Sequence, residues 1–61
     1  MKKYITTRQV FNDTHTLYKG ATVEILREIQ VEGEAVYVFS EIGSDQEFRI
    51  TKSSTTLKEV A

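Results

Sequence analysis

Residues 17–26, LYKGATVEIL, set apolar Val23 and Ile25 in alternation with polar Thr22 and Glu24. A period of two sends successive side chains to opposite faces of an extended chain, so the stretch reads as a strand with one buried face. Continued through REIQV, it also spaces Val23, Leu26 and Ile29 three apart, and Leu, Arg, Glu and Gln are good helix formers. A helix is therefore the competing reading. The next segment, EAVYVF, favours the strand, because it is itself strand-like and VEGE between the two suits a hairpin turn. A helix in this place would also leave an isolated sheet with little to close it.

Turn signals divide the rest of the chain in the same way. FNDTH (11–15), Gly20, EGE (32–34) and GSDQ (43–46) carry the Asn, Asp and Gly that tolerate turn geometry. The segments between them are rich in Val, Ile, Thr, Tyr and Phe, which fit a pleated surface. The pattern predicts a strand within 3–10, an irregular excursion to Leu17, and strands at 22–30, 34–41, 47–51 and 57–60. Five strands in one short chain predict an all-β fold, a small five-stranded, strongly bent barrel in a single domain, 1–61. Bending buries the apolar face and removes most free edges. The predicted interior is Ile5, Val10, Leu17, Val23, Ile25, Val36, Val38, Phe48, Ile50 and Leu57. Ile29, Val31, Phe39, Ile42 and Val60 are expected to seal the ends or the outer side.

This order of parts resembles the Src-homology-3-like small barrels, including bacterial members of that superfamily. The local match is LYKGATVEIL, where Leu17 and Gly20 close a long first loop and Val23 and Ile25 begin the next strand. EGE is similar to the following hairpin, GSDQ to the tight distal turn, and ITKSSTTLKEV to a one-turn helix with the last strand. The resemblance implies a barrel but not the superfamily's proline-rich peptide site. That site needs an acidic first loop, a Trp opening the third strand, and a Pro and Tyr near the short helix. This chain has no Trp and no Pro, and Asp13 alone represents the acidic loop.

Composition narrows the picture further. A chain of 61 residues hides only roughly 60% of its unfolded surface, so its stability rests on one thin core or on contact with another chain. Without Cys there is no disulfide, which suits a reducing compartment and predicts a cytoplasmic protein. Met1, Lys2 and Lys3 are followed by no apolar run of signal-peptide length, and the longest apolar run, 36–39, is far short of a membrane helix. No membrane role is expected. Met1 and the closing LKEVA predict a complete small gene product.

The net charge is −1, but it is unevenly spread. Residues 1–20 carry +3 through Lys2, Lys3, Arg8 and Lys19 against Asp13. Residues 21–47 carry −6 through Glu24, Glu28, Glu32, Glu34, Glu41, Asp45 and Glu47 against Arg27, and the tail returns +2. Paired first and last strands would gather Lys2, Lys3, Arg8, Arg49 and Lys58 on one side, with Glu28, Glu32 and Glu34 projecting from the opposite hairpin. Surface charge that serves only solubility is the simpler account of the same numbers.

Chemistry-bearing groups are sparse. Asp13 and His15 offer two metal ligands where a closed site wants four, the three Gly are too far apart for a phosphate loop, and no nucleophile stands beside a base. No enzyme, metal or cofactor is expected. SSTT (53–56) suits a turn cap, with ligand contact secondary. Tyr4, Tyr18 and Tyr37 alternate with the predicted interior, and outward Tyr is favoured in contact surfaces. Packing over the outside of the barrel would explain them equally well. The preferred function is protein binding or self-association through these Tyr and the acidic residues Glu28, Glu32 and Glu34. Two alternatives stand beside it: a nucleic-acid-binding barrel using the basic terminal strands with Tyr4 as a stacking platform, and an accessory subunit or small inhibitor from a mobile element.

Overall fold

The computed structural model describes residues 3–60. Its elements are all strands: β1 (Lys3–Thr6), β2 (Val10–Phe11), β3 (Thr16–Leu17), β4 (Thr22–Val31), β5 (Glu34–Glu41), β6 (Phe48–Thr51) and β7 (Leu57–Val60). Five form one antiparallel sheet in the order β6-β5-β4-β1-β7, and β2 and β3 pair separately as a small ladder. The 22–31 stretch is extended throughout, which settles strand against helix there. Two expectations are corrected. The strand expected within 3–10 is present as β1, but the excursion that follows, expected to be irregular, contains the β2–β3 ladder. The one-turn helix implied for 50–60 is a set of turns, in which Ser54 N–H donates to Thr51 O and Thr56 N–H donates to Ser54 Oγ. SSTT thus caps a turn.

Local chemistry fixes the connections. Between β4 and β5, Glu32 and Gly33 both have positive φ (51° and 83°), the two-residue turn whose twist matches that of the flanking strands. Asn12 organises the β2–β3 loop: its Oδ1 accepts from the N–H groups of Thr14 and His15, while its Nδ2 donates to Glu47 O at 3.0 Å. Thr6 is buried, and its hydroxyl donates to Tyr18 O at 2.9 Å and accepts from Ala21 N–H at 3.0 Å. That clasp ties the Gly20 turn to the end of β1, so the chain enters β4 beside β1.

Strand β4 carries an extra residue. Ile25 faces Phe39 and Arg27 faces Val38, so Leu26 bulges out of the ladder. A bulge bends its strand and sharpens the local twist. Before it, β4 pairs with both β1 and β5; after it, only β5 accompanies β4 to the hairpin.

The core lies on one face of this sheet. Leu17, Val23, Phe39 and Phe48 form the buried cluster, and Tyr4, Val10, Ala21, Ile25, Ile50 and Leu57 pack around it. The Phe39 and Phe48 rings stack with centroids 5.8 Å apart. Here the structure corrects the predicted interior. Phe39, expected at the periphery, is central; Val36 and Val38 are buried as expected, but outside this cluster. Ile25 faces Phe39, so those two share a face, and alternation sends Val36 and Val38 to the other. On that other face Arg27 reaches across β5 to Glu47 at 2.9 Å, laying its stem beside Val38.

Candidate functional site

The end of the molecule formed by the β4–β5 hairpin gathers most of the site residues expected from the sequence. Glu28 and Tyr37 are direct cross-strand partners, so their side chains stand on the same face. Tyr37 in turn faces Ile50 on β6, and the chain just past β6 brings Lys52 to them. Lys52 donates to Glu28 Oε1 at 3.3 Å, and its Nζ lies 5.8 Å from the Tyr37 ring centroid. The hydrogen bond and charge of Glu28, and then Tyr37, hold the Lys52 ammonium above its ordinary pKa. Glu28 is therefore already engaged within the fold.

Glu32 and Glu34 differ from it. Glu32 sits in the turn and Glu34 opens β5, both are exposed, and neither forms an ion pair with a described residue. Beside them lies a shallow groove of about 340 Å³ lined by Glu34, Ala35, Thr51, Lys52 and Ser53. The arrangement offers two exposed carboxylates, one of them lining an open groove. Such a surface can hold a cation and a length of extended chain.

The other two tyrosines stand apart. Tyr4 is half-buried against the core cluster, facing Val23 and Glu59, and is not the outward ring its alternation suggested. Tyr18 is 69% exposed at the Gly20 turn, beside a groove that reaches Glu41. The basic set is also divided. Lys3 and Lys58 lie on the paired strands β1 and β7, and Arg8 contacts Thr55 Oγ1 at 3.3 Å. Arg49 is on β6, at the opposite end of the strand order, and Lys2 lies outside the described residues.

One surface went unread in the sequence. Phe11 is 66% exposed and, with Asn12, Asp13, Glu47 and Arg49, lines a groove between the β2–β3 loop and β6. Its only sequence signal was an aromatic residue directly before the NDTH turn. Beside Asp13, the His15 ring Nδ1 lies 2.7 Å from Thr14 Oγ1. Among the described residues no group of three or more His, Cys, Asp or Glu is placed to hold a metal, and no helix is long and apolar enough to cross a membrane. No protein-family model, curated protein or solved structure matches the chain.

Proposed function

We propose that this chain is a small non-enzymatic binding module of the cytoplasm whose β4–β5 hairpin captures a basic segment of a protein partner. The observation that carries this reading is the pair of exposed carboxylates without an ion pair among the described residues, Glu32 in the hairpin turn and Glu34 lining the groove that opens the start of β5. A Lys or Arg of the partner would sit between the carboxylates while its neighbouring residues run along the groove. Complementary charge of this kind governs encounter rate and selectivity more than affinity. The frame proposed for it is a closed Src-homology-3-like barrel, a reading supported by β1 lying between β4 and β7 and by the bend in β4. A nucleic-acid role has less support, because Tyr4, the stacking platform it would use, packs against the core cluster.

The test is titration of a Lys-rich extended peptide into the wild type and into Glu32→Lys/Glu34→Lys, followed by backbone amide shifts. The wild type should show shifts confined to the hairpin and the Lys52 region. The double variant should keep its strand dispersion and lose them. Equal binding by the two proteins refutes the reading.

A further inference from the structure

The β4–β5 hairpin outruns the strand on its other side. β1 accompanies β4 over Thr22, Val23 and Glu24, while β5 follows it to Val31. In a two-residue hairpin the flanking pair, Val31 and Glu34, exchanges both of its hydrogen bonds, and so by alternation do Ile29 with Val36 and Arg27 with Val38. Glu28 and Gln30 then turn their N–H and C=O groups away from β5. The β5–β6 ladder gives the same phase independently: Lys52 N–H donates to Ala35 O at 2.9 Å, so odd-numbered residues of β5 serve β6 and even-numbered ones serve β4. No described residue pairs with the outward backbone groups of Glu28 and Gln30. They form a short open sheet edge, a template for another strand.

The geometry points to a second copy of this chain as that strand, β4 pairing antiparallel with β4 about a two-fold axis at Ile29. Residues facing each other across an antiparallel pair share a face, so a two-fold pairing must be centred on a residue and not between two. Charge then selects the centre. At Arg27 two guanidinium groups oppose each other, at Glu28 two carboxylates do, and at Gln30 Glu28 meets Glu32 of the second copy. Like charges directly opposite are unfavourable. At Ile29 alone, Glu28 faces Gln30 in both halves and the open groups close four backbone hydrogen bonds. Ile29 meets Ile29 of the second copy, and the Arg27 stem lies against Val31, which is 42% exposed in the single chain.

The same register brings the Glu32–Gly33 turn of each copy to the end of the other's β1, beside Lys3 and its positive charge. A contact of this length belongs to the small, readily dissociating class of interface. It goes beyond the capture of a basic segment by hairpin side chains, because it uses the backbone edge, and either can fail without the other.

Sedimentation velocity and amide exchange over a range up to about 1 mM, where weak contacts of this class become populated, test it. The wild type should shift from monomer to dimer with concentration, and the Glu28 and Gln30 amides should gain protection in step. Gln30→Pro removes only an outward N–H, which an edge strand tolerates, and should be monomeric throughout while still binding a Lys-rich peptide at the hairpin. Ile29→Lys, which sets two ammonium groups against each other, should behave alike and covers the case in which the Pro variant does not fold. A wild type that stays monomeric, or a dimer that both variants leave intact, overturns the inference. So does protection of Glu28 and Gln30 that comes only with added peptide, which would assign the edge to a foreign strand.

Discussion

Lys52 shows how one side chain can join three strands. It is exposed, yet the carboxylate of Glu28 on β4 and the ring of Tyr37 on β5 both favour its charged form, and the raised pKa follows. A group whose folded-state pKa lies above its unfolded value adds stability that is fully present below the unfolded value. That contribution disappears as pH climbs through the raised folded value. The contact is therefore intact at neutral pH, and loss of the Lys52 proton releases it in the alkaline range above the ordinary lysine pKa. Following the Lys52 Cε resonance with pH should give a higher midpoint in the wild type than in Glu28→Gln. Coincident midpoints would mean that Glu28 is not the cause.

At the level of elements, the β4–β5 hairpin depends on its turn. Gly33 holds a φ of 83°, where a Cβ is strained even though one placed there would meet nothing within 4 Å. Gly33→Ala should thus cost about 1 kcal/mol through the backbone alone, lowering Tm by roughly 4 to 8 °C in a domain of this size. A melt that does not move would show that the turn relaxes. This hairpin was legible in the sequence, because VEGE places its Gly between two segments of strand composition. The strand character of 22–31 was legible for a similar reason, through Val23 and Ile25. The core face of β5 was not. Val36 and Val38 alternate as well as Tyr37 and Phe39 do, and only the pairing of Ile25 with Phe39 chooses between the two frames. The Glu28–Tyr37–Lys52 cluster was half legible. Glu28 and Tyr37 were named, but Lys52 lies 24 positions beyond Glu28, and its place depends on the β5–β6 register, which no local pattern encodes.

For the molecule as a whole, the small core makes each of its members costly to lose. Phe39 is fully buried, stacks on Phe48 and lies within the cluster that also holds Leu17 and Val23. Truncating a buried Phe to Ala typically costs about 3 to 5 kcal/mol, as much as the roughly 3 to 5 kcal/mol that a core of this size supplies. Phe39→Ala should be largely unfolded at 25 °C by far-ultraviolet circular dichroism, and a cooperative urea transition near that of the wild type would contradict this. Curvature and partnership are written separately in this chain. Every cross-strand match of β4 with β5 would survive deletion of Leu26, since Ile25 would still meet Phe39 and Arg27 would still meet Val38. Only the kink would go. Shape here is set by how many residues the strand contains and neighbours by which residues they are, so gain or loss of a single codon, more than any exchange of side chains, would remodel the outline of the protein.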